Sequence, residues 1–213
     1  MERVICLFIG YVFGLFQTGY LYGKAHNMDI RKYGSGNSGS TNVLRVMGVK
    51  AGLIVFIGDS FKTIFACLLV RYLFRAQPEL SYVYLLYTGF GVILGHNFPF
   101  YMGFKGGKGI AASAGLLAVT DWRVTLACLV VFAVVVAVTR YVSLGSILVM
   151  VLFCAGMVFF GVRGDFGIAE AALPEFCILA AAISLMGIWR HRSNIKRLLT
   201  GTENKVGSKK AKA

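Results

Sequence analysis

Gly34-Ser35-Gly36-Asn37-Ser38-Gly39-Ser40-Thr41-Asn42 is a polar loop in a chain built mostly of apolar residues, and its composition suits the holding of an anion. Glycine takes positive φ without steric cost. Backbone N–H groups around Gly36 and Gly39 can then converge as a nest for a phosphate. Ser35, Asn37 and Asn42 add short hydrogen-bonding side chains, and Arg45 adds a cation. A second polar segment, 95–109, contains His96 and closes on Lys105-Gly106-Gly107-Lys108-Gly109 ahead of an apolar stretch. Glycine amides and a helix start there could face an anion, with two lysines to neutralise it. The spacing is not that of a P-loop, because Gly109 follows Lys108. A flexible basic loop would account for the lysines equally well, and a hydrogen-bonded helix end for His96. A third segment, 190–205, carries Arg190, His191, Arg192 and Asn194. On a helix, Arg190 and His191 lie four and three residues from Asn194 and share its face. Guanidinium forks match phosphate oxygens, although a basic stop against lipid head groups is the plainer alternative. His191 is the protein group best suited to moving a proton near neutral pH.

These segments must be held by elements that the composition describes well. The chain has 213 residues, 57% hydrophobic and 15% charged, with a mean hydropathy of +0.72. Soluble domains carry about 25% charged residues, so an all-α integral membrane protein is expected. A spanning helix needs about 20 apolar residues. Seven candidate segments follow, at 4–23, 51–72, 82–98, 110–120, 124–139, 144–162 and 172–189. They form a single polytopic membrane domain over 1–205, followed by a basic tail at 206–213 that is expected to be disordered. The five cysteines stand singly in apolar runs without metal-ligand spacing, and no metal or cofactor is expected. The net charge of +13 does not imply nucleic acid, because the cations sit in short loops between apolar segments. Asp59 and Lys62, three apart inside the second segment, either pair with each other or support a site.

The short fourth segment decides the topology. If it spans, four crossings separate 96–108 from the C-terminus, and both lie on one side. With seven crossings and the N-terminus outside, most of the 22 Lys and Arg residues fall inside, against Arg3, Arg71, Arg75, Arg123 and Arg163 outside. That asymmetry argues for seven helices, N-terminus out and C-terminus cytoplasmic, with all three polar segments on the cytoplasmic face.

The three segments, GSGNSGSTNVLRVMG (34–48), GHNFPFYMGFKGGKGIAAS (95–113) and RHRSNIKRLLTGTENK (190–205), together resemble the motifs of the bacterial acyl-phosphate-dependent glycerol-3-phosphate acyltransferase family. The resemblance runs through nearly the whole chain in order. It departs where the family usually has Pro at Ser38, Ala at Ser40 and Gly at Thr63. Losing the proline removes a restraint on the first loop. The resemblance implies an enzyme of the bacterial inner membrane, acting as a monomer among membrane lipids with its site on the cytoplasmic side. Acyl phosphate and glycerol 3-phosphate would give 1-acyl-glycerol 3-phosphate and phosphate. It also implies catalytic roles for Ser35, His191 and Asn194. Substrate contacts would come from Gly36, Asn37, Gly39, Asn42, Arg45, His96, Lys105, Gly106, Gly107, Lys108 and Arg192. Whether Ser35 is a nucleophile or a phosphate ligand, and whether His191 or a substrate phosphate takes the proton, stays open at this level.

Overall fold

The computed structural model describes residues 1–207. Ten α-helices run α1 (Glu2–Gly14), α2 (Thr18–Ala25), α3 (Ser40–Met47), α4 (Val49–Leu73), α5 (Ser81–Asn97), α6 (Ile110–Thr120), α7 (Trp122–Thr139), α8 (Val142–Val162), α9 (Leu173–Arg190) and α10 (Arg192–Leu199). The described residues contain no strand. Five stretches are long and apolar enough to cross a membrane: Glu2–Ala25, α4, α7, α8 and Glu170–Arg190. The other two expected segments are shorter, α5 with 17 residues and α6 with 11. α7 buries only Val124 and Cys128, so most of its Val- and Leu-rich surface faces outward. That is the pattern of a helix in lipid.

Some helix limits follow local chemistry. Asp121 caps α7, accepting from the N–H groups of Arg123 (2.9 Å) and Val124 (3.1 Å). Gly48 turns the chain between α3 and α4 at φ +91°. The single helix expected over 4–23 is corrected: the chain breaks between Gly14 and Thr18. Gln17, 1% exposed, donates to the carbonyls of Gly14 and His96 at 3.2 and 3.0 Å. Lys62 Nζ donates to Phe16 O at 2.6 Å. A helix can break at membrane depth where buried side chains take up the freed carbonyls.

The tightest seam is between α1 and α5. Gly10 and Gly14 face Gly91 and Gly95, and a Cβ on any of the four would meet backbone atoms of the other helix. Two Gly-x-x-x-Gly pairs let the backbones approach to this distance. Gly91→Val is therefore expected to cost roughly 3 kcal/mol or more by forcing the helices apart. Thermal unfolding in detergent would show a large fall in midpoint, against little change for Val138→Leu on the outward face of α7. A small core of Ile30, Val43, Ala51 and Val55 seats α3 and its preceding loop on α4. The larger core draws on α4 through α9.

The boundary expected after residue 205 falls where Val206 still exchanges hydrogen bonds with Arg140, at 2.8 Å through its N–H and 3.0 Å through its carbonyl. The rest of the expected tail, residues 208–213, lies outside the described residues.

Candidate active site

All three polar segments reach one cavity of about 360 Å³. From the first come Ser35, Asn37, Gly39, Asn42 and Arg45; from the second, His96 and Lys108; from the third, His191 and Asn194. Leu44, Leu53, Phe56, Phe132 and Val142, from α3, α4, α7 and α8, give the same cavity an apolar part. The predicted residues thus assemble in large part, but not all of them. Gly36, Lys105, Gly106, Gly107 and Arg192 are not on the cavity wall. Lys105 is exposed, and Arg192 lies over the Trp189 ring at 4.3 Å.

The expected glycine nests are corrected. The amides of Gly36, Gly106 and Gly107 donate to the carbonyls of Tyr33 (3.0 Å), Asn97 (3.1 Å) and His96 (3.0 Å). Ser35 N–H donates to Asn42 Oδ1 at 2.7 Å, and Gly39 N–H to Asn37 Oδ1 at 2.9 Å. Gly106 and Gly107 serve close packing instead: a Cβ on Gly106 would strike the His96 carbonyl and one on Gly107 the His96 ring. Arg190, expected to suit phosphate, donates to Gly107 O at 2.6 Å and Gly106 O at 3.3 Å. What faces the cavity is the first turn of two helices, Gly39-Ser40-Thr41 opening α3 and Gly109-Ile110-Ala111 opening α6. Such turns carry amides without intrahelical partners and the positive end of the helix dipole.

Asn42 explains how the first loop keeps its shape. It is buried, and its Nδ2 donates to Tyr33 O (3.0 Å) and Asn37 O (2.9 Å). Ser38, where the family usually has proline, is buried and donates to Gln17 Oε1 at 3.4 Å. The loop thus gains a side-chain tie at the position where the proline restraint is absent.

On the opposite wall, Lys108 donates to Asn194 Oδ1, and Asn194 donates to Glu203 Oε1 at 2.9 Å. Glu203 Oε2 also pairs with Arg197 Nε at 2.7 Å, and its side chain is only 5% exposed. Burial, partly offset by the nearby Glu203 carboxylate, pulls the Lys108 ammonium down to about 8. His191 is 3% exposed, and Nδ1 lies 2.8 Å from Gly187 O. A carbonyl only accepts, so Nδ1 carries the proton and Nε2 of the neutral ring is an acceptor. Burial first, and then the Lys108 charge, push the His191 imidazole down to about 4.

Sequence reasoning missed Gln17, Ser143, Arg197 and Glu203. Ser143 Oγ is buried, lines the cavity and has no hydrogen-bond partner among the described residues. Arg197 and Glu203 lay inside the third segment, but nothing local marks which acid folds back into a basic site. Asp59 and Lys62 do pair, at 2.8 Å with both side chains buried, and the pair sits beside His96.

Residues 4–201 match the family model described as glycerol-3-phosphate acyltransferase. A glycerol-3-phosphate acyltransferase of Clostridioides difficile is 40% identical over 208 residues, covering 97% of both chains. One from Alkaliphilus metalliredigens is 38% identical over 210 residues, covering 98% of both. Among solved structures, the chain is similar to PlsY, an integral membrane glycerol 3-phosphate acyltransferase, in its glycerol 3-phosphate form (TM-score 0.81) and its lysophosphatidic acid form (TM-score 0.79). Each is 33% identical, and the match covers 97% of this chain and 96% of that one.

Proposed function

The chain belongs to the glycerol-3-phosphate acyltransferase family, and from that premise we propose that it moves a fatty acyl group from acyl phosphate to glycerol 3-phosphate. The products are 1-acyl-glycerol 3-phosphate and inorganic phosphate. One observation carries the reading: a single cavity joins a cationic, hydrogen-bonding half to an apolar half. A donor with a phosphate head and a fatty tail needs both. Glycerol 3-phosphate and lysophosphatidic acid, the ligands named for the two similar structures, agree with the acceptor and the product.

The helix starts of α3 and α6, with Ser35, Arg45 and Lys108, hold the phosphates of donor and acceptor. The acyl tail runs past Leu53, Phe56, Phe132 and Val142 towards the lipid. The acceptor hydroxyl attacks the acyl carbon, a C–O bond forms, and the bond to phosphate breaks. Phosphate is a good leaving group, so alignment and charge stabilisation supply most of the catalysis. His191 Nε2 receives the hydroxyl proton, and Asn194 and Ser143 donate towards the reacting oxygens. Ser35 acts as a phosphate ligand, since no histidine or carboxylate contacts it among the described residues to activate it as a nucleophile.

We read the chain as crossing the bacterial inner membrane seven times, N-terminus outside and C-terminus cytoplasmic. The shared cavity supports this, because four helices, α6 to α9, separate Lys108 from His191 and an even number of crossings returns the chain to one face. The 11-residue α6 is about 16 Å long. It is encased, with Gly115 against Ser60 of α4 and Leu116 against Gly89 of α5. A monomer suffices, since one chain completes the cavity.

The test is acceptor-dependent phosphate release by the purified protein given acyl phosphate and glycerol 3-phosphate. No release would overturn the reading. A pH profile tests the role of Lys108: kcat/KM should fall as pH rises above about 8, where the free enzyme loses the ammonium charge. In Lys108→Arg that limb should vanish, because guanidinium keeps its proton.

A further inference from the structure

We propose that a buried hub of Gln17, Asp59, Lys62 and His96 is a positioning device that holds the two phosphate-facing loops in register; the inference rests on the phosphate-binding role just given to the cavity. The hub lies where α1 breaks. Lys62 Nζ reaches Phe16 O (2.6 Å), Asp59 Oδ1 (2.8 Å) and His96 Nδ1 (2.9 Å), which joins the break between α1 and α2 to α4 and α5 through one ammonium group. Thr18 of α2 also donates to Asp59 Oδ1, at 3.0 Å.

From this centre one tie runs to each loop. Gln17 Oε1 accepts from Ser38 of the first loop at 3.4 Å, while Gln17 Nε2 donates to His96 O at 3.0 Å. His96 O in turn accepts from Gly107 N–H of the second loop at 3.0 Å, and the His96 ring fills the space where a Cβ on Gly107 would sit. Asp59 and His96 are themselves on the cavity wall. The loops are more than fifty residues apart in sequence, and among the described residues one direct hydrogen bond joins them, Asn37 Nδ2 to Gly106 O at 3.5 Å. Their spacing is therefore set mainly through the hub. Four polar side chains at this depth are costly to bury, and the loops they fix give that burial a purpose beyond closing the helix break.

The neutral pair Asp59→Asn/Lys62→Met separates positioning from stability. Replacing both charges spares the fold the unpaired buried charge that either single change leaves. Thermal unfolding and equilibrium binding of radiolabelled glycerol 3-phosphate are measured together in detergent, alongside steady-state kinetics. The double variant should lower the midpoint modestly, since Phe16 O loses its donor, bind glycerol 3-phosphate tenfold or more weakly, and raise KM more than it lowers kcat. Ser184→Ala, a buried change remote from the cavity, should shift the midpoint and leave binding unchanged. Binding by the double variant equal to the unchanged protein would overturn the proposal. So would a loss of kcat alone. If the double variant does not accumulate, Gln17→Met is read by the same criteria. Acyl transfer absent from the unchanged protein would count against the proposed reaction, and the binding measurement would still decide the hub.

Discussion

Replacing His191 by alanine should lower kcat/KM by about 10²–10⁴-fold while the protein stays folded, the range that a positioned proton acceptor contributes. The argument is local. The ring is buried at the junction of α9 and α10, its Nδ1 is tied to Gly187 O, and it lines the cavity. A pKa of about 4 keeps it neutral around neutral pH. The neutral ring is free to accept a proton, although the same shift makes it a weaker base than an ordinary histidine. Asparagine at 191 should fall as far as alanine, since an amide does not accept a proton at these pH values. A loss below about tenfold would assign the proton to the donor phosphate instead.

The same shift has a consequence for stability. The folded pKa of His191 is depressed from 6.5 to about 4, so the unfolded chain binds the proton more readily between those values. Stability should therefore drop as pH falls from about 6.5 towards 4. His191→Ala should lose that part of the slope, which unfolding midpoints across the window would reveal. A slope identical in both proteins would mean that burial does not hold the ring neutral.

Glu203→Ala is expected to produce the second large effect, in stability and activity together. The carboxylate, with its side chain 5% exposed, bridges Arg197 and Asn194. Asn194 in turn receives the Lys108 ammonium. Removing Glu203 leaves Lys108, Arg197 and Arg45 around one cavity whose remaining acid, Asp59, is paired with Lys62. The cost is roughly 2–3 kcal/mol, below that of a fully buried pair because the Arg197 side chain is 34% exposed. Lys108 loses a group that supports its charge, so its pKa should slip below about 8 and KM for glycerol 3-phosphate should rise at neutral pH. Glu203→Gln keeps an acceptor for Asn194 and should be milder in stability. Thermal midpoints and KM measured side by side test this; an alanine variant matching the unchanged protein in both would remove Glu203 from the site.

The local pattern of apolar and polar residues determined much of this protein. Helix α6 was legible to the residue, because its apolar run is bounded by Gly109 and Asp121. The Asp59–Lys62 pair followed from spacing on one helix face. The three polar segments stood out as interruptions in apolar sequence, and their convergence followed from counting crossings. Tertiary structure decided what each polar group is joined to. The run 4–23 is continuous in hydropathy, yet it breaks at Gln17 because Gly95 and His96, nearly eighty residues on, accept its amide. The glycines at 36, 106 and 107 permit a nest, but their N–H groups turn to carbonyls fixed by the fold. Arg190 and Glu203 have the charges expected of a binding residue and a solvated acid, and the fold reverses the two: the arginine braces a loop and the acid joins the cavity wall. Hydropathy and helical spacing are properties of neighbours along the chain. A hydrogen bond is settled by which buried donor and acceptor meet once the helices have packed.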